Sequence, residues 1–393
     1  MGERWVGLLE QGEGGDFVCS PAGLWLALGA VAAGARGATA DELRALLGVA
    51  GEEAAVAVTG AARALAGTDA VAVATRVWSR APVHRTYQEA LPDVGFGPLD
   101  PDEIDAWVKE ATGGQIEKLP VAIQDDTRLA LVNALALKAR WRAPFASHLT
   151  RLAPFVDAAG GVHQVPTMYR RLDPSEVWTA GNATIVELCC AAEPGAGAPA
   201  RVRLVLGVEG AGPAEVLPAA WASRGAGRPV DADVVSLALP RLALRTRVDA
   251  TPQLPVLGVV RATSPDADFS GLSPEDLKIS HVVQESVIKI AELGVEAAAV
   301  TVVLAQPGGA PRPQKVLRIA FDRPFGVVVL DGTGEVPLFA AWQAQAPAGE
   351  PIDDMDEPKG LHPPSFPSPS PPPLLPPRSS FLPPPPPSPP PSQ

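Results

Sequence analysis

Residues 292–309 read ELGVEAAAVTVVLAQPGG, and the stretch contradicts itself. Ala297, Ala298 and Ala299 are the best helix formers. Val300, Thr301, Val302 and Val303 follow at once and favour a pleated surface. Pro307, Gly308 and Gly309 then break any regular element. A segment written for one conformation agrees with itself across levels, and this one does not. Taken as a strand, the segment divides cleanly by parity. With Glu296 in water, Val295, Ala297, Ala299, Thr301 and Val303 share the opposite face, and no charge would be buried. Gly294 supplies backbone freedom where such a segment would bend.

Outward from this stretch, the chain divides by composition. Of its 45 prolines, 20 lie between Pro347 and Pro391, ending FLPPPPPSPPPSQ. Residues 347–393 are expected to be a disordered or polyproline II tail, and residues 1–346 a folded domain. The tail reads either as inert or as a ligand for an SH3-type, WW-type or EVH1-type domain, with LPPPPP (382–387) as the candidate motif. The formal net charge of −12 argues against nucleic acid and anionic membrane surfaces as partners. The opening MGERWVGLLEQGEGG lacks the apolar core of a signal peptide, so a cytoplasmic product is expected, or an extracellular one if the start is misassigned.

Enzyme and cofactor signatures are missing from the pattern. Cys19, Cys189 and Cys190 are an odd set with one adjacent pair, which reads as buried small residues rather than a disulfide framework. His84, His148, His163, His281 and His362 show no zinc-ligand spacing. No nucleophile elbow, P-loop or dinucleotide fingerprint appears. The expectation is a monomeric non-enzyme without metal or cofactor.

Ser20-Pro21 starts a helix over AGLWLALGAVAAGARG, with the serine as cap. TADELRALLGV reads as a second helix with Thr39 and Glu42 as a capping box. Residues 70–79 alternate as a strand, and DEIDAWVKEATGGQIEKL reads as an amphipathic helix with Ile104, Trp107 and Val108 inward, ending at Gly113-Gly114. LALVNALALKARW (129–141) suits a strand covered on both faces. From about residue 185 strands dominate, so the class is α+β with large antiparallel or mixed sheets.

Five pieces in this order resemble the serpin family. FVCSPAGLWLALGAVAAGARGATADELRALLGV (17–49) looks like its second and third helices, and LALVNALALKARWRAPF (129–145) like the central strand of its main sheet. ADFSGLS precedes HVVQESVIKIAE, ELGVEAAAVTVV is similar to the hinge of its reactive-centre loop, and FDRPFGVVVLDGTGEVPLFAAW (321–342) to its closing strand pair. The resemblance implies three β-sheets, about eight to nine helices and an exposed reactive-centre loop over about 292–316. It implies a suicide-substrate inhibitor of serine or cysteine proteases: the cleaved loop, its small residues sliding between packed neighbours, enters the main sheet as a sixth strand and traps the acyl-enzyme. The alternative is a non-inhibitory member acting as a chaperone, carrier or polyproline-displaying adaptor.

Counting seventeen residues from Glu292 puts the reactive bond at Gly308-Gly309, with Leu304-Ala305 and Ala305-Gln306 as rivals. Each points to an elastase-like or subtilisin-like protease. Counting back from Phe321 reaches Pro313-Gln314, so the loop is about five residues longer than usual. The hinge is Glu292, Gly294, Val295, Glu296 and Ala297 to Ala299. Ser20 and Asn133 match polar positions beneath the opening sheet, and Lys138 and Trp141 positions near its top. Arg241 is expected to form a partly exposed pair with Glu292. Two departures stand out: Gly23 replaces a usual serine, and Gln284 a usual histidine. WVGLLE leaves little for the first helix, which implies a truncated helix or a misassigned start.

Overall fold

Each long apolar run has become a buried strand or helix, and the computed structural model describes residues 1–13, 15–66, 71–111, 127–137, 139–192, 197–222, 224–294 and 314–347. Its helices are α1 (Gly2–Glu13), α2 (Pro21–Gly34), α3 (Gly37–Leu47), α4 (Glu52–Ala66), α5 (Arg85–Ala90), α6 (Pro101–Ala111), α7 (Pro213–Val216), α8 (Pro218–Trp221) and α9 (Leu254–Leu257). The first eight strands are β1 (Phe17–Cys19), β2 (Val71–Ser79), β3 (Gly95–Pro98), β4 (Leu129–Leu137), β5 (Arg151–Val156), β6 (Val162–Leu172), β7 (Val177–Ala180) and β8 (Ala183–Cys189). The others are β9 (Arg201–Leu206), β10 (Arg228–Pro229), β11 (Val234–Pro240), β12 (Leu242–Asp249), β13 (His281–Ile290), β14 (Val316–Ala320), β15 (Phe325–Leu330) and β16 (Pro337–Gln343).

Three sheets result, in the orders β1-β16-β15-β9-β8-β7-β10, β14-β11-β6-β5 and β12-β13-β4-β2-β3. The class is α+β with three sheets, as the sequence leads one to expect. Residues Met1–Gly349 form one compact unit; the tail beyond residue 347 lies outside the described residues.

The five-stranded sheet matters most. Its central strands β4 and β13 are parallel neighbours, with Asn133 opposite Gln284, while β2 and β12 flank them antiparallel. One face rests on α2, which is apolar all round and almost wholly buried, as a helix in the interior must be. On the other face, Ile104 and Val108 of α6 pack with Trp78, Ala130 and Val132.

Two local expectations fail, and a third is not reached. α1 covers Gly2–Glu13, 12 residues, twice what WVGLLE alone provides. α3 begins at Gly37 with Arg36 in the cap position and no side-chain cap bond, so Thr39 lies inside the helix. Instead of closing a capping box, the Thr39 hydroxyl accepts from the Asp268 amide, and Glu42 accepts from the amides of Arg261 and Ala262. Both side chains tie the helix to a distant loop, a tertiary contact that local spacing cannot reveal. The expected helix end at Gly113-Gly114 lies outside the described residues.

Candidate functional site

Where β13 ends the chain turns sharply, and the turn is held from three sides. Ala291 and Gly294 exchange both backbone hydrogen bonds, forming an antiparallel bridge across Glu292 and Leu293. Gly294 makes a second antiparallel bridge with Arg140, beyond the end of β4. The turn is also pinned by Trp141, whose amide donates to Leu293 O at 3.0 Å and whose indole Nε1 donates to Ala291 O at 2.9 Å. Phe145 N–H donates to Glu292 O at 2.8 Å.

Position 294 requires glycine. Its φ is +147°, and a Cβ there would lie 2.1 Å from Ala139 O, inside any tolerable contact.

Beneath the turn, Arg241 reaches Glu292 with two nitrogens, Nη2 to Oε1 at 2.6 Å and Nε to Oε2 at 3.1 Å. Thr150 Oγ1 donates to Oε1 at 2.6 Å. The pair was expected to be partly exposed; the Glu292 side chain is in fact only 4% exposed and that of Arg241 18%. Burial alone would push the Glu292 carboxyl up, but the Arg241 guanidinium and the Thr150 hydroxyl more than offset it and hold it below the usual carboxylate range. A depressed folded value means that the stabilisation is complete above the unfolded pKa of about 4.3 and is lost as pH falls through the folded one. As pH falls below about 4.3, the turn at 291–294 is therefore expected to loosen before the rest of the sheet. Amide hydrogen exchange at Gly294 and Trp141 across that range checks this.

Midway down the sheet a second cluster stitches five elements together. Ser20, the α2 cap, donates its amide to Gln284 Oε1 at 2.6 Å, and Gln284 Nε2 donates back to Ser20 O at 2.9 Å. Nε2 also reaches Asn133 Oδ1 at 3.4 Å, and Ser286 Oγ donates to Gln284 Oε1 at 3.3 Å. Asn133 Nδ2 donates to Thr75 Oγ1 on β2, and Ser20 Oγ to Leu338 O on β16. Gly23, without a side chain, contributes its amide to Ser20 Oγ. Gln284 uses both ends of its amide, accepting at Oε1 and donating from Nε2. Every group in this cluster is uncharged.

Gln284→Ala would orphan the amide of Ser20, which is fully buried, and leave its carbonyl with the Leu24 amide alone. With about 1–3 kcal/mol for one unsatisfied buried group, the expected loss is roughly 1–3 kcal/mol, read as a lower midpoint in urea with an unchanged m-value.

The structure thus brings Ser20, Asn133 and Gln284 together in one place, and Glu292, Gly294, Trp141 and Arg241 in another. Lys138, Val295, Glu296, Ala297, Ala298, Ala299, Gly308 and Gly309 lie outside the described residues. Sequence reasoning missed Thr75 and Thr150. Thr75 sits directly across the sheet from Asn133, so aligning residues 70–79 with 129–137 would have found it. Nothing in the sequence marks Thr150. The cysteines are free thiols. Burial pushes Cys190 up to about 12 and Cys19 higher still, which leaves both inert.

The chain is similar to known proteins in sequence and in fold. The family model described as "Serpin (serine protease inhibitor)" matches residues 7–343. Alpha-1-antitrypsin 1-3 of Mus musculus is 30% identical over 270 residues, covering 64% of this chain and 60% of that protein. Alpha-1-antiproteinase of Callosciurus caniceps is 31% identical over 251 residues, covering 60% of this chain and 56% of the relative. The chain therefore spans less than two thirds of these relatives in the matched region. Among solved structures, Serpin48 of the insect Tenebrio molitor superposes with a TM-score of 0.74 at 27% identity, over 88% of this chain and 95% of that one. Human thyroxine-binding globulin superposes equally well, at 0.74 and 20% identity, covering 88% and 96%.

Proposed function

Because the chain belongs to the serpin family, a family of serine protease inhibitors, we propose that it is a suicide-substrate protease inhibitor whose cleaved loop enters the five-stranded sheet between β4 and β13. One observation carries this reading: the entry to that seam is already in register. Gly294 bridges Ala291 on one side and Arg140 on the other. Ala291 and Arg140 are themselves opposite each other when the β4–β13 register, Gln284 to Asn133, is continued upward. A strand following Gly294 would run antiparallel to both neighbours and slip past neither.

Continued rung by rung, this register sets Glu296 across from Lys289, with lysine also at position 138 on the other side. It sets Ala299 across from Ser286, and Thr301 across from both Gln284 and Asn133. Opposite residues in antiparallel pairs share a face. Ala297, Ala299 and Thr301 thereby join the α2 face, and Thr301 brings a hydroxyl to the polar cluster that the strand must part. This agrees with the parity of the segment alone.

The chemistry follows from the seam. A protease attacks the reactive bond, for which Gly308-Gly309 remains our choice, and forms an acyl-enzyme. Insertion then carries the tethered enzyme away from the loop's starting point. Seventeen residues at about 3.3 Å each span roughly 55 Å, and the driving energy is strain released when five strands become six. Small residues near the bond point to an elastase-like or subtilisin-like target.

Incubation with pancreatic elastase and with subtilisin tests this. A covalent complex surviving SDS is the expected result, and cleavage without complex against both would count against inhibition. Cleavage within 304–314 is further expected to raise the unfolding midpoint by more than about 10 °C, since the added strand completes the sheet; calorimetry before and after nicking reads it. A carrier or polyproline adaptor would show no such rise, and deleting residues 347–393 would remove an adaptor's partner while leaving an inhibitor's activity intact.

A further inference from the structure

On β8, β9 and the turn before β10, three guanidinium groups crowd one carboxylate. Glu187 is 3% exposed, and the group that neutralises it is Arg203, equally buried, with Nε 2.9 Å from Oε2. Arg203 is fixed from behind as well, its Nη1 donating to Ala220 O at 2.6 Å and Ala222 O at 3.2 Å. That pair is complete in charge and geometry. Yet Arg201 and Arg224 also converge on Glu187, both toward Oε1, at 3.4 and 3.7 Å. Their terminal nitrogens therefore lie within about 7 Å of each other.

Neither contact is a strong one. Both are long, and the side chains are 36% and 48% exposed, so each pair contributes little to stability. No other carboxylate lies within ion-pair distance of Arg201 or Arg224 among the described residues. The cluster holds three positive charges against one negative, a local surplus of two on a chain whose net charge is −12.

The two surplus arginines are nonetheless held in place. Arg224 lies over the Trp178 ring, 5.2 Å from its centroid, with Arg203 over the same ring at 5.3 Å. Arg228 and Pro229, just beyond Arg224, pair with Thr179 and Trp178. Gly227 approaches Trp178 so closely that a Cβ would lie 2.2 Å from Cδ1. Arg201 leaves a central strand of the seven-stranded sheet, opposite Cys189 and Leu330. Two guanidinium groups on rigid supports, close together, under-neutralised and open to solvent on one side, form an anion receptor.

We propose that Arg201 and Arg224, backed by Arg203, bind a tetrahedral oxyanion, the phosphate or sulfate group of a small ligand. Each arginine donates one or two hydrogen bonds to oxygens on adjacent edges of the anion. Glu187 stays bonded to Arg203, and its repulsion disfavours a third negative charge.

The test titrates sodium phosphate and, separately, sodium sulfate into the full chain at constant ionic strength set with sodium chloride. Trp178 sits beneath the arginines, so its fluorescence reports occupancy, and Trp178→Phe identifies its share of the signal. Saturable binding in the low millimolar range is expected, at about 10 mM or below. Phosphate should bind more tightly at pH 8 than at pH 6 as its second ionisation turns the monoanion into the dianion, whereas sulfate should not change. A sulfate-selective site would bind sulfate more tightly at both pH values, and a phosphate-selective one the reverse.

Arg201→Ala and Arg224→Ala should each weaken binding about fivefold or more. Their unfolding midpoints without anion should be unchanged, because neither contact is strong. Arg171→Ala, on an exposed residue of the four-stranded sheet, should bind like the parent. No saturation by about 50 mM of either anion, or equal weakening by Arg171→Ala, would overturn the proposal.

Discussion

The Glu292→Lys protein is expected to polymerise on mild heating under conditions where the parent chain does not. The substitution puts an ammonium group against the Arg241 guanidinium at a site where the native carboxylate is 4% exposed, and it removes the acceptor of the Thr150 hydroxyl. Breaking a buried pair and leaving its partner charged costs about 3–5 kcal/mol. That cost falls on the turn where the chain leaves β13, at the upper end of the β4–β13 seam. A loosened turn frees the top of the seam for the loop of a second molecule, which can then propagate. Native gels after incubation at graded temperatures read the result. The charge-swapped protein, Glu292→Lys with Arg241→Glu, should recover part of the loss, and the double-mutant cycle isolates the coupling from general damage. Identical polymerisation in parent and single mutant would show that the pair guards nothing.

On the inhibitory reading, Ala299→Arg is expected to turn the protein from an inhibitor into a substrate. By the register set at Gly294, residue 299 comes to lie across from Ser286, which is fully buried on the face packed against α2. A guanidinium there would be desolvated without a partner at a cost of several kcal/mol. Insertion would stall, and the acyl-enzyme would hydrolyse first. The comparison is with Ala298→Arg, one residue away and across from Val287. That face is not open water, since Val287 is 6% exposed and Glu285 2%. It nevertheless accepts long cations, as Arg245 reaches Glu285 from β12 with its own side chain half exposed, and a snorkelling arginine at 298 can do likewise. The stoichiometry of inhibition against one susceptible protease should rise severalfold more for the 299 variant than for the 298 variant. Equal effects, or a larger one at 298, would place the register off by one or exclude insertion.

Much of this was legible in the chain. The apolar run of 129–141 declared a strand covered on both faces, and Ser20-Pro21 declared the start of α2, because burial and capping are local, strong signals. The pairing of Glu292 with Arg241 was reachable only through the resemblance, and even then its burial was not. Exposure depends on what covers a residue, here Thr150 and the 141–145 segment, which are far away in sequence. Thr39 shows the opposite failure: a sound local motif was overruled because its hydroxyl found a better partner at Asp268. The role of Gln284 was legible as a departure from the family pattern but not as a solution, since its two-ended bond with Ser20 depends on the distance between α2 and β13. The three arginines around Glu187 left no trace in the sequence, where they are spread over residues 201 to 224.

The double bridge at Gly294 bears on kinetics as much as on architecture. Growing an ordered element is slow at its first contact, where chain entropy is lost for little return, and fast once each further residue adds a bond. On the inhibitory reading, the intact protein has already passed the slow stage: one rung of the sixth strand exists before any protease arrives. What remains is propagation, which runs freely until it meets the uncharged knot of Ser20, Asn133 and Gln284, seven residues on at Thr301. The race between trapping and hydrolysis is then decided at that knot, by how quickly Gln284 releases Asn133, and hardly at all by how the hinge is captured.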